Sequence, residues 1–202
     1  MQPARATMPD MSQDRATYQD VLDADPRFTA ELIDGELTLM GRPTYGYNRA
    51  SSRMSYDLTG SHGDDRRGGG WVILPEPELW LGPPRAPNAR VLVPDIAGWR
   101  RERFQMDPTA VGHLITPDWV CEILSPSTVR HDRIRKMAIY AEVGVPFAWI
   151  VDPIAHTVEV FELVDGRWTI AQTAAGDVTA ALPPFADTPF DLGPWWGSPP
   201  PG

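Results

Sequence analysis

The alternation of apolar and polar positions predicts a chain that mixes strands and helices. Ala30 to Met40 reads as a hairpin, with Asp34-Gly35 at the turn between Glu-Leu-Ile and Glu-Leu-Thr-Leu-Met. A short helix precedes it over Thr17 to Asp25, and a longer one follows over Tyr45 to His62, ending in a glycine-rich loop at 63–70. Strands are expected at about 71–74, 77–81 and 91–97, then a polar surface excursion from Arg100 to Thr116, broken by Pro108 and Gly112. Asp118 to Leu124 reads as a strand, Ser125-Pro126-Ser127-Thr128 as turn and cap, and His131 to Val143 as a helix that Gly144 ends. Phe147 to Val151 is a short apolar run of buried-strand type, and 156–163 with 167–173 form a hairpin around Asp165-Gly166. Residues 1–16 read as a flexible arm, 17–182 as a single domain, and 183–202, dense in Pro, Gly and Trp, as an irregular tail.

Two of the expected strands carry a carboxylate among apolar neighbours. In Val91 to Ala97, alternation puts Asp95 on the face of Val91, Val93 and Ala97. In Trp119 to Leu124 it puts Glu122 with Val120 and Leu124, and Cys121 opposite as a packed thiol. A lone buried carboxylate is costly unless it is paired, hydrogen-bonded or bound to a metal. The cation is suggested by a compositional oddity: of 18 Lys and Arg residues, only Lys136 is lysine. Lys136 follows Glu122 by 14 residues, the span of one turn and the start of a helix. At 100° per residue it shares a face with Asp132, Ile139, Tyr140 and Val143, while Ile134, Met137, Ala138 and Ala141 line the other side. A helix apolar on both sides is expected to be sandwiched, which points Lys136 inward.

Asp, Glu and Lys at strand ends suit hydrolysis of a phosphodiester. Hard carboxylate oxygens bind Mg²⁺ while leaving it water, and a lysine can position that water or offset transition-state charge. His113, His131 and His156 show no zinc spacing. The net charge of −9 argues against a broad basic surface for nucleic acid, yet Arg100, Arg101, Arg103, Arg130, Arg133 and Arg135 cluster in sequence around the proposed site. A single Cys fits a reducing compartment, and no apolar run approaches the ~18 residues a membrane helix needs, so a cytoplasmic protein is expected.

At these residues the chain resembles the Uma2-like, or DUF820, family of the PD-(D/E)XK nuclease superfamily. The matching segments are Glu31-Leu-Ile-Asp-Gly-Glu-Leu37, Val91-Leu-Val-Pro-Asp-Ile-Ala-Gly-Trp99 and Pro117-Asp-Trp-Val-Cys-Glu-Ile-Leu-Ser-Pro-Ser-Thr128. The match continues through Asp132 to Tyr140 and Gly144 to Pro153, and it spans roughly 17 to 175. The resemblance implies an α/β fold of restriction-endonuclease type, a mixed central sheet flanked by helices, with extra hairpins. It implies a Mg²⁺-dependent endonuclease acting on DNA, with Mn²⁺ as an alternative ion and a homodimer as the suited assembly. Asp95 matches the Asp of the PD element and Glu122 the acidic residue of the (D/E)XK element. Leu124 stands where that motif has lysine, and Lys136 matches the lysine that Uma2-like proteins carry on the next helix. Asp95, Glu122 and Lys136 are then the catalytic set, and Asp95, Glu122 and the Ile123 carbonyl hold the metal. Arg100, Arg101 and Arg133 are the expected contacts to nucleic acid. Asn48 departs from a histidine frequent in the family, and Glu31, though matched, reads as a solvated hairpin residue. A noncatalytic interaction or nucleic-acid-binding module on the same fold is the rival reading, and a hydrolase for another phosphoester the third.

Overall fold

A computed structural model describes residues 15–63, 69–82, 89–105 and 107–197. The arm expected before residue 15, the middle of the 63–70 loop and the last residues of the tail lie outside them. Thr17 caps α1 (Tyr18–Leu22): its backbone N–H and hydroxyl both donate to Asp20, as a capping box requires. The hairpin forms as expected from β1 (Thr29–Ile33) and β2 (Glu36–Met40), with Asp34 and Gly35 both at positive φ in the two-residue turn. Helix α2 (Tyr45–Leu58), capped by Thr44, runs into a π-helical turn at Thr59–Gly63.

Strands β3 (Trp71–Pro75), β4 (Glu78–Trp80), β5 (Arg90–Leu92), β6 (Ile96–Arg100), β7 (Gly112–His113), β8 (Trp119–Ile123), β9 (Phe147–Asp152), β10 (Thr157–Val164) and β11 (Arg167–Ala175) build two sheets. The smaller has the order β2-β1-β5-β4-β7 and the larger β11-β10-β9-β8-β6-β3, with β8 and β9 parallel and their other neighbours antiparallel. The expected strand over 91–97 is therefore two strands in different sheets, and the break falls at Val93-Pro94-Asp95. Pro94 has no N–H to give a ladder. Val93 instead turns its N–H to the Glu31 side chain (2.7 Å) and its carbonyl to Lys136 (2.9 Å). Asp95 thus sits at a sheet crossing, not within a strand.

The larger sheet has a core on each face, because successive residues of β8 point to opposite sides. Trp119, Cys121 and Ile123 pack with Tyr47, Ala50, Met54 and Leu58 of α2. Val120 packs with Met137, Ile139 and Tyr140 of α3 (Met137–Glu142) and with Leu79 and Leu92 of the smaller sheet. A π-helical turn, His131–Lys136, leads into α3. Asp132, Lys136, Ile139 and Tyr140 face inward as the spacing predicts, but the other side is only partly covered: Met137 is buried, while Ile134 is 66% exposed. The excursion from Arg100 also contributes more order than expected, since β7 adds a parallel strand to β4.

The stretch after Pro183 corrects a second expectation. It carries β13 (Phe190–Asp191), paired with β12 (Thr179–Ala180), and the single turn α4 (Gly193–Trp196). Phe185, Phe190, Leu192 and Trp195 are buried in the α2-side core. Irregular backbone here wraps the core instead of leaving it. No helix among the described residues is long and apolar enough to cross a membrane.

Candidate active site

Where the two sheets meet α2 and the π-helical turn, a pocket of about 80 Å³ is lined by Asp95, Glu122, Ile123 and Lys136. Its centre is Lys136, whose side chain is almost fully buried. An ammonium has three hydrogens to donate. Those of Lys136 face Glu122 Oε2 at 2.8 Å, Glu31 Oε1 at 3.0 Å and the Val93 carbonyl at 2.9 Å. Burial disfavours the charged form, but Glu122, Glu31, Asp132 and Asp95 outweigh it and raise the lysine above its ordinary range. That favours the charged ammonium over the neutral amine.

Each carboxylate is aimed by donors from a different element. Asp95 Oδ2 accepts the Ile123 N–H at 2.5 Å and Oδ1 accepts the Tyr47 hydroxyl from α2. Glu122 Oε1 accepts the Tyr140 hydroxyl at 2.6 Å. Glu31 on β1 takes the Val93 N–H on Oε1 and meets His131 Nε2 at 2.6 Å through Oε2. Asp132, also buried, accepts from Thr128. Burial raises the phenols of Tyr47 and Tyr140, with the neighbouring carboxylates adding to it, so both remain neutral donors.

Three buried carboxylates, Glu31, Glu122 and Asp132, and half-buried Asp95 thus surround one lysine. Burial pushes Asp95 up to about 7 despite Lys136, and Glu122 and Asp132 also rise, first through burial and then through their acidic neighbours. Glu31 alone is held low, because the Lys136 charge and its His131 and Val93 hydrogen bonds outweigh burial.

Of the expected site residues, Asp95, Glu122, Ile123 and Lys136 come together, although Ile123 commits its N–H to Asp95. Arg100 and Arg101 do not join them. They lie at the far end of β6, roughly 15 Å of extended chain from Asp95. The Arg100 guanidinium stacks 4.1 Å over Trp71, and Arg101 donates to the carbonyls of Gly63, Gly69 and Trp71. Arg133 pairs with Glu159 on β10. Trp99, Trp119 and Trp149 are core, as expected.

A sequence model of the Uma2 family, described as "Putative restriction endonuclease", matches residues 15–192. The chain belongs to the Uma2 family. A solved structure with the same fold is that of "a putative nuclease belonging to DUF820" from Anabaena variabilis ATCC 29413. It is 20% identical, covers 89% of this chain and 97% of its own, and superposes with a TM-score of 0.70. No curated protein matches. The expected mixed α/β architecture of this family is the one observed.

The Uma2 site contains three groups that the sequence reading left out. Glu31 is fully buried and not solvated. Its signal lay in β1, where alternation places it on the face of buried Ile33. Tyr47, and not exposed Asn48, reaches Asp95. Tyr140 appeared on the Lys136 face, but nothing local marked its hydroxyl as a donor to Glu122.

The donor chemistry of the Uma2 pocket fits a hard divalent cation. Asp95 and Glu122 offer carboxylate oxygens, and the local negative charge exceeds what Lys136 offsets. Among the described residues no three or more His, Cys, Asp or Glu side chains form a ready-made metal cage.

The charge excess has a measurable consequence. Asp95, Glu122 and Asp132 have folded-state pKa values above their unfolded ones, so their contribution to stability is complete at low pH and falls as pH rises, for Asp95 through about 7. Glu31 works the other way, but only near and below its ordinary value of 4.5. Between about pH 5.5 and pH 8, the denaturant midpoint in EDTA is expected to fall with rising pH, and Mg²⁺ is expected to restore it at pH 8. A flat midpoint in EDTA would show that the carboxylates carry no excess charge.

Proposed function

We propose that this Uma2 protein is a metal-dependent endonuclease that hydrolyses phosphodiester bonds of DNA at the Asp95–Glu122–Lys136 pocket. The observation that supports this most directly is the excess of buried carboxylates over the one ammonium in a pocket open to a ligand. Membership of a family described as "Putative restriction endonuclease" supports a nuclease activity, and a fold shared with a DUF820 protein is consistent with it. In this reading Asp95 and Glu122 hold Mg²⁺ or Mn²⁺, with the Ile123 backbone beside them. A divalent ion there polarises a phosphate and makes a bound water more acidic.

The chain's own residues then divide the remaining work. Tyr47 and the Ile123 N–H fix both oxygens of Asp95, and Tyr140 and Lys136 fix those of Glu122. Glu31 on the smaller sheet holds Lys136 of the π-helical turn and Val93 together. Because its three hydrogens are taken, Lys136 acts by orienting Glu122 and offsetting charge, and not by carrying a water of its own. A homodimer would place two such pockets on a duplex, one for each strand.

The test is cleavage of plasmid and single-stranded DNA with Mg²⁺ or Mn²⁺, comparing the native chain with Glu122→Gln. The glutamine can still accept from Lys136 and donate to Tyr140, so the variant is expected to fold. Its rate is expected to fall at least about 100-fold, the upper range for losing a mere outer-shell partner of a metal ligand. Equal cleavage by both proteins would remove Glu122 from the mechanism. A folded native chain that neither binds a divalent ion nor cleaves DNA would leave a binding module as the better reading.

A further inference from the structure

Arg42 is the one described arginine that lines the candidate pocket. Arg27, Arg53, Arg90, Arg103, Arg133 and Arg135 are each paired with a carboxylate. Arg42 is exposed, makes no ion pair among the described residues, and lines the same pocket as Asp95 and Glu122. Lys136 is the pocket's other cation, and its hydrogens are already engaged.

The position of Arg42 follows from the local chain. It lies between the end of β2 at Met40 and Thr44, the N-cap of α2, with Gly41 before it and Pro43 after it. Pro43 fixes its own φ and biases Arg42 toward extended backbone, away from any early start of the helix. Thr44, Ser127 and Thr128 line the same pocket. The positive end of the 14-residue α2 adds to it.

We infer that Arg42 is the residue that grips a backbone phosphate of the substrate at the mouth of the pocket, with Thr44 and Ser127 as the accompanying hydroxyls. The inference rests on the phosphodiester reading above and deepens it by naming the group that recognises the substrate. The guanidinium is the suited cation because its planar fork takes two phosphate oxygens at once. It also accounts for how a chain of net charge −9 takes up a polyanion: one free arginine sits at the mouth of an otherwise acidic site, in place of a broad basic surface.

The test measures binding of a labelled single-stranded oligonucleotide across a salt series, in the Glu122→Gln background so that the strand stays whole. Adding Arg42→Ala is expected to weaken binding about tenfold and to make the salt slope shallower by about 1. Arg42→Lys is expected to keep the slope and lose part of the affinity, because the charge remains and the fork does not. Inorganic phosphate is the second probe: at millimolar concentration it is expected to raise the melting midpoint of the native chain and not that of Arg42→Ala. Unchanged affinity and slope in Arg42→Ala would overturn the inference and leave the endonuclease reading standing. Arg42-dependent phosphate protection without any binding or cleavage of nucleic acid would uphold the anion site and sink the endonuclease. Absence of both would overturn the two together.

Discussion

Lys136→Met is expected to destabilise the protein by about 3–5 kcal/mol at pH 8 and to abolish cleavage. The side chain is almost fully buried, and removing the ammonium leaves Glu122, Glu31 and the Val93 carbonyl facing an apolar group. That loss is a large part of the roughly 5–15 kcal/mol that holds a domain together. The deprived carboxylates would respond by binding protons, so the defect is expected to shrink as pH falls toward 5.5. Lys136→Arg is expected to rescue little, since a larger planar group must fit among partners already at hydrogen-bond distance. Denaturant unfolding at the two pH values, with cleavage measured on the folded fraction, checks this. An unchanged midpoint at pH 8 would mean that the lysine does not hold the carboxylates together.

Deleting residues 183–202 is expected to prevent folding altogether. Phe185, Phe190, Leu192 and Trp195 each bury nearly all of their surface against α2 and the larger sheet. At about 1.5–3 kcal/mol for each buried side chain, the deletion removes roughly 6–12 kcal/mol, as much as a typical domain has. Two hydrogen bonds go as well: Trp149 Nε1 donates to the Pro183 carbonyl at 2.6 Å, and Trp195 Nε1 to Asp57 at 2.9 Å. The point variant Trp195→Ala is expected to cost about 3–5 kcal/mol. A truncated chain that unfolds cooperatively at the native midpoint would contradict this packing.

The strand and helix pattern was legible because most elements carry an uninterrupted apolar period, and so was the meeting of Asp95, Glu122 and Lys136. A single lysine 14 residues beyond a strand carboxylate, on a helix face shared with Asp132, pointed to its partner by spacing alone. What failed were inferences that treated neighbours in sequence as neighbours in space. Arg100 and Arg101 are close to Asp95 along the chain, but β6 carries them to the opposite end of the sheet. Glu31 looks like an acid beside an Asp-Gly turn; its alternation with Ile33 hinted at burial, but its partners, Val93 and His131, are tertiary. The π-helical turn at His131–Lys136 is too short for its apolar spacing to separate it from an α-helix. In the last segment, Pro and Gly density correctly signalled irregular backbone, while the four large apolar residues between them were the overlooked evidence of burial.

The crossing at Val93-Pro94-Asp95 also sets the order in which the molecule can be assembled. Hairpins β1–β2 and β10–β11 close over two residues, and loops of that size form early. Glu31 meets Val93 across 62 residues and His131 across 100, while Lys136 reaches Val93 across 43. The Glu31–Val93 contact needs β1 paired with β5, and His131 and Lys136 reach them only when the π-helical turn packs there, so longer loops must close before the site is complete. A refolding chain therefore recovers its hairpins first and its pocket last, and the amide of Ile123, closed off by Asp95, is a late reporter of that final step.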